Sequence, residues 1–192
     1  MKIDEVITKI NDLCNDPVLR RRLLDWRWPL AIITILLLLF LMEPQYFWSG
    51  LLLSLLGEGL QIWCFAALDK KKELAARGPY AVVRNPMYIG RYFLILGAVA
   101  ITGSLFLMLL YSVIYYFYMV NRVRREEEVL REIFGADYEA YCARVNRFLP
   151  NFSNLDPETI KYFRRDLFFQ NHAHLNLLAV AVGYLIVYWI LF

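Results

Sequence analysis

Five stretches of this chain are almost free of charge, and the charged residues gather in the loops between them. The runs are 28–42, 46–68, 89–101, 105–120 and 174–192, interrupted only by Glu58 and Arg91. An apolar run of about 20 residues spans a bilayer, and in lipid every backbone N–H and C=O must be paired within the segment, which leaves the helix as the workable form. With 59% hydrophobic residues and a mean hydropathy of +0.42, the chain is built for that solvent. The expected fold is all-α, a polytopic membrane helix bundle with about five transmembrane helices and a cytoplasmic amphipathic helical C-terminal motif. The first and third runs are short and must draw on flanking residues to cross.

The basic residues set the expected topology. Lys70, Lys71, Lys72, Arg77 and Arg84 follow the second run, and a larger group from Arg122 to Arg165 follows the fourth. The opposite loops hold only Glu43 and the tip Thr102-Gly103-Ser104. By the positive-inside rule the N-terminus and both basic loops are cytoplasmic and the C-terminus lies on the other side, as an odd number of spans requires. One domain is expected: a cytoplasmic amphipathic segment 1–27, a motif-bearing core 46–150, a cytoplasmic connector 151–173 and a last helix 174–192. The first 28 residues mix charges of both signs and do not read as a secretory signal. The net charge of +3 is a topology signal, and no basic stripe with stacking aromatics points to nucleic acid. Cys14, Cys64 and Cys142 form no paired motif, so three reduced thiols and no zinc site are expected.

Chemistry concentrates between Arg77 and Tyr92, RGPYAVVRNPMYIGRY. Gly78-Pro79 and Asn85-Pro86 each break a helix, because the residue before proline is driven from the α region. A stiff non-helical loop is expected there, carrying Arg77, Arg84, Asn85 and Arg91 with the hydroxyls of Tyr80, Tyr88 and Tyr92. Irregular backbone at a membrane border has to be buried in protein or line a wet cavity, so this loop should wall a site. Upstream, Glu58 and Gln61 lie one turn apart in an apolar run, where a carboxylate costs roughly 3 kcal/mol and must face the bundle interior. They are expected either to pair with each other or to meet a ligand. Tyr111, Tyr115, Tyr116 and Tyr118 fit an interfacial belt better than a pocket lining.

Beyond Val120 the helix should run on into the polar phase. Val123, Leu130 and Phe134 make an apolar stripe, and Glu127 falls on it while its charged neighbours point outward. Gly135 should end this helix, and Tyr138, Tyr141 and Val145 should carry an apolar face back under the bundle. Residues 151–171 offer no nameable chemistry, and His172 with His174 reads as interfacial with no metal role.

RGPYAVVRNPMYIG followed, across a helical hairpin, by EEEVLREIFGADYEAYCARVNRFLP resembles the isoprenylcysteine carboxyl methyltransferase family and the related phospholipid methyltransferases. The resemblance covers roughly 46–150. The family's Arg-His-Pro-x-Tyr reads Arg84-Asn85-Pro86-Met87-Tyr88 here, and its usual Val-Pro-Arg reads Val145-Asn146-Arg147. The resemblance implies transfer of a methyl group from S-adenosylmethionine to a lipophilic acceptor, an isoprenylcysteine carboxylate or another lipid, at the cytoplasmic membrane face, with no metal. It implies Arg84 and Glu127 as catalytic residues, and Tyr80, Arg84, Asn85, Pro86, Tyr88, Arg122 and Glu127 as cofactor-binding ones. Arg84 or Arg122 would take the cofactor carboxylate, Glu127 the ammonium or ribose, and Tyr88 the sulfonium. Two other readings stand beside it, a sterol-reductase-like membrane enzyme using NADPH and a non-catalytic membrane scaffold.

Overall fold

A computed structural model describes residues 3–69, 74–154 and 156–192. Lys70, Lys71 and Lys72, and the side chains of Ile3, Val6, Ile10 and Cys14, lie outside the described residues. The regular elements of the described chain are helices: α1 (Ile3–Asn15), α2 (Pro17–Asp25), α3 (Arg27–Leu41), α4 (Phe47–Ala67), α5 (Pro79–Val82), α6 (Pro86–Ala100), α7 (Leu105–Arg144), α8 (Pro157–Lys161), α9 (Arg165–Gln170) and α10 (Ala173–Leu191). Among the described residues three helices are long and apolar enough to cross a membrane: Pro44–Ala67, Leu105–Arg144 and Ala173–Leu191. A fourth span results if α2 and α3, bent by 64°, are one crossing, and α6 is a shorter apolar helix. The expected five crossings are therefore reduced to three or four among the described residues, because the run 89–101 lies in the fifteen-residue α6 and the run 28–42 qualifies only together with α2. α1 and α2 are separated at Asp16-Pro17, with the Asp16 carboxylate capping α2 by accepting from Val18 N at 2.7 Å and Leu19 N at 2.9 Å.

The tightest packing is between α4 and α6, and small residues make it possible. Gly50, Ser54 and Gly57 on α4 face Gly97, Leu94 and Gly90 on α6. A methyl group on Gly50 would stand 2.5 Å from the Gly97 carbonyl, and one on Gly57 would stand 2.5 Å from the Gly90 carbonyl. The two backbones therefore touch, the close approach that substitutes for a hydrophobic drive between helices in lipid. Ser54 Oγ adds a hydrogen bond to the Leu94 carbonyl at 2.6 Å.

α10 closes the other side of α4. Glu58, 1% exposed, accepts from Asn176 Nδ2 through both oxygens at 2.9 and 2.8 Å. The expected Glu58–Gln61 pair is absent, because Gln61 turns toward Gly90 of α6 while Glu58 faces α10. Higher along the helix, Tyr184 donates to Ser54 and to the Gly50 carbonyl. The tyrosines of α7 also depart from the expected belt. Tyr115 donates to the Tyr88 carbonyl at 2.7 Å and Tyr111 to the Tyr92 carbonyl at 3.3 Å, so both lock α7 onto α6, and only Tyr116 and Tyr118 face outward.

α7 runs past the apolar zone for several turns and breaks at Gly135, whose φ of 50° and ψ of −121° belong to glycine. The final turns fold back, burying Tyr138, Tyr141 and Val145 against Leu74, Leu130 and Phe134. α1 lies along the same extension, with Asn121 Nδ2 donating to Asn11 Oδ1 at 2.9 Å and Asn15 Nδ2 donating to Asn121 Oδ1 at 2.7 Å.

Candidate functional site

The loop after α4 turns at Gly78 and then forms one helical turn, α5, where the sequence led us to expect irregular chain throughout. Proline carries the φ of a helix and lacks the N–H that a first turn leaves unpaired, so Pro79 starts a turn as readily as it ends one. Val83 is extended, Asn85 leaves the helical region ahead of Pro86, and α6 begins there. The segment after α7 is stitched to this loop. Arg84 N donates to the Asn146 carbonyl at 2.9 Å, Asn151 N to the Val82 carbonyl at 2.9 Å, and the Tyr141 hydroxyl to the Tyr80 carbonyl at 2.7 Å. The two sequence motifs are thus one structural unit.

Glu127 is its centre. Only 1% of it is exposed, and it holds three partners: Arg147 Nη2 at 2.5 Å, Asn85 Nδ2 at 3.2 Å and Arg84 Nε at ion-pair distance, 3.7 Å. Asn85 Nδ2 also reaches the Arg147 carbonyl at 3.3 Å, and Arg84 Nη1 donates to Cys142 Sγ. Two guanidinium groups on one buried carboxylate offset the cost of taking it out of water. Among the described residues Arg84 Nε and Arg147 Nε have no hydrogen-bond partner.

Beside this knot is a hollow of about 210 Å³. Its polar wall comprises Asp69, Tyr80, Arg84, Asn85, Tyr88 and Glu126, and its apolar wall includes Leu68, Leu130 and Phe134, with Tyr138 and Tyr141. Burial pushes the Tyr80, Tyr138 and Tyr141 phenols well up from their ordinary range, so these rings are neutral surfaces at physiological pH. Of the seven residues expected to bind the cofactor, Tyr80, Arg84, Asn85 and Tyr88 line the hollow. Glu127 faces the two arginines, and the carboxylate at the wall is its neighbour Glu126. Pro86 is buried in the first turn of α6. Arg122 stands outside, its Nε 2.8 Å from Glu126 Oε1, and its guanidinium is held more firmly protonated by a hydrogen bond with Tyr88.

Three polar contributors were not singled out in the sequence. Glu126 sits within a run of three glutamates, and helical spacing to Tyr88's partner Arg122 is the signal that marks it. Arg147 was legible as a basic residue at the end of the second motif, without an assigned partner. Asp69 carried no signal.

Comparisons with known proteins bear on what this arrangement does. Residues 45–137 match the family described as phospholipid methyltransferase. The chain is 30% identical over 111 residues to a protein-S-isoprenylcysteine O-methyltransferase of Schizosaccharomyces pombe, an alignment that covers 58% of this chain and 47% of that protein. It is 25% identical to the nickel-cobalt-cadmium resistance protein NccN of Alcaligenes xylosoxydans xylosoxydans over 70% of this chain and 67% of the relative. It is 26% identical to the cobalt-zinc-cadmium resistance protein CzcN of Cupriavidus metallidurans over 70% and 66%. The chain thus spans about half the length of the yeast relative and two thirds of the other two. No solved structure matches at the same level of significance.

Proposed function

Because residues 45–137 match the phospholipid methyltransferase family, we propose that the protein is a membrane methyltransferase using S-adenosylmethionine and acting on a lipophilic acceptor at the cytoplasmic face. The observation that carries this reading is the ionic make-up of the hollow. Asp69 and Glu126 supply two carboxylates to its wall and Arg84 one guanidinium. S-adenosylmethionine carries an ammonium, a sulfonium and a carboxylate, the complementary set. A nicotinamide dinucleotide would bring phosphates against two carboxylates and one arginine, so the reductase reading is disfavoured on charge.

When bound, S-adenosylmethionine supplies an already activated methyl group, so positioning and exclusion of water can carry much of the rate. Arg84 is suited to the cofactor carboxylate, because Glu127 and Cys142 fix its guanidinium before anything binds and a pre-set planar fork loses little freedom on binding. Asn85, held by Glu127, orients the loop. In this reading Glu127 is a positioning residue and Glu126 is the carboxylate that meets the ligand. The faces of Tyr80, Tyr88 and Tyr138 suit a sulfonium, which is attracted to a π surface. Leu130 and Phe134 keep water out. Asn85, where the family often has histidine, can donate and accept hydrogen bonds but cannot shuttle a proton at neutral pH, which assigns it to holding geometry.

The test is direct. Purified protein in nanodiscs should bind S-adenosylmethionine by calorimetry and pass a radiolabelled methyl group into a lipid extract, and Glu126→Gln should weaken binding about tenfold. No binding by the unaltered protein would refute the reading, and unchanged affinity in Glu126→Gln would remove Glu126 from the site.

A further inference from the structure

The connector between α7 and α10 lies outside the stretch that matches the family, and the sequence suggested no chemistry for it. Its contacts are specific. α4 ends at Ala67, and the last carbonyls of a helix have no partner within it. Here the Arg164 backbone N donates to the Ala66 carbonyl at 3.0 Å, and Asn171 Nδ2 to the Phe65 and Leu68 carbonyls at 2.9 and 2.7 Å. Trp63 Nε1 donates to the Tyr162 carbonyl at 3.0 Å. This clamp fixes the chain just after α4, where Leu68 and Asp69 enter the wall of the hollow.

Arg164 then does a second thing. Anchored by its backbone on α4 and by its side chain on Asp166, it places Nη1 3.6 Å from Asp69 Oδ2. Asp69 lines the hollow, and its pair with Arg164 is made through Oδ2. Glu126, on the facing element, is arranged alike, with Arg122 on Oε1. Each of the two carboxylates in the wall is therefore paired with an arginine that does not itself line the hollow.

We propose that Asp69 binds a cationic group of the methyl donor and that Arg164, from the connector, is the residue that positions it. The inference rests on the methyltransferase reading and adds to it a ligand contact outside both sequence motifs and a supporting segment outside the matched family region. The clamp on α4 makes the geometry of Asp69 a property of the connector.

The full chain in nanodiscs, with Asp69→Asn, Arg164→Gln and Arg164→Lys, decides the matter by calorimetry with S-adenosylmethionine, steady-state kinetics and thermal midpoints. Asp69→Asn should bind about tenfold more weakly with the midpoint of the unaltered protein. Arg164→Gln should raise the KM for S-adenosylmethionine several-fold with little change in kcat, and Arg164→Lys should recover part of the loss. Unaltered protein that binds while Asp69→Asn binds equally well would overturn this inference and leave the methyltransferase reading standing. Unaltered protein that fails to bind would overturn both. An Arg164→Gln variant that lowers the midpoint and kcat together at constant KM would show a structural clamp and no positioning role.

Discussion

The α4–α6 seam and the Glu127 knot lie a few residues apart along α6, and they hold the molecule by opposite means. In the seam the helices approach because side chains are missing, and nothing ionises. In the knot one carboxylate and two guanidinium groups meet with an amide, almost none of it apolar. The contrast follows from the solvent. Inside lipid a leucine gains nothing by leaving the tails, so backbone contact is what distinguishes a packed helix from a free one. At the polar end water competes for every charge, and an ionic cluster forms only where it is enclosed and mutually satisfied.

Substitutions should expose this difference in a definite order. The largest effect belongs to Gly57→Leu, whose side chain would collide with the α6 backbone; we expect more than about 3 kcal/mol of destabilisation and loss of monodisperse protein on size exclusion. Gly59→Ala on the same helix is its control, since nothing stands within 4 Å of that position, and it should be neutral or stabilising. If both glycines behave alike, the seam is not what packs the helices.

Glu127→Ala comes next, at about 3 kcal/mol by thermal unfolding, because it leaves Arg84 and Arg147 without their counter-charge. Adding Arg147→Ala should restore part of that loss, and strict additivity of the two changes would mean that the knot is no unit. Ser54→Ala removes the hydrogen bond to the Leu94 carbonyl in the seam, and the acceptor of Tyr184 with it, and should cost about 1 kcal/mol. A larger loss than in Glu127→Ala would reverse the contrast. The smallest effect is that of Arg122→Gln. Its surface pair with Glu126 is worth about 0.5 kcal/mol or less, so stability should hardly move while affinity for S-adenosylmethionine falls a few-fold as Glu126 loses its support.

The ionic end was more legible in the sequence than the seam. Glu127 announced itself by falling on an apolar stripe between Val123 and Leu130, and proline and glycine marked the loop that meets it. The glycines of α4 and α6 gave no comparable sign, since small residues inside an apolar run do not alter its periodicity and only the partner helix reveals what they face. Glu58 was correctly read as inward-facing, but its partner Asn176 is 118 residues away, and spacing along one helix pointed to Gln61. The clamp on α4 was invisible for a related reason, because the groups that Arg164 and Asn171 satisfy are backbone carbonyls, which every residue has.

The shortness of α6 has a consequence for the surrounding membrane. Fifteen residues rise roughly 22 Å, against a hydrocarbon thickness of about 30 Å, and the seam ties this stub rigidly to a full-length neighbour. Such a mismatch is relieved by a local dimple in the leaflet or by tilt. A dimple centred on the first turn of α6 would let lipid headgroups sink to the level of the hollow, so that an amphiphile could present its reactive end there while its tail stayed among its neighbours.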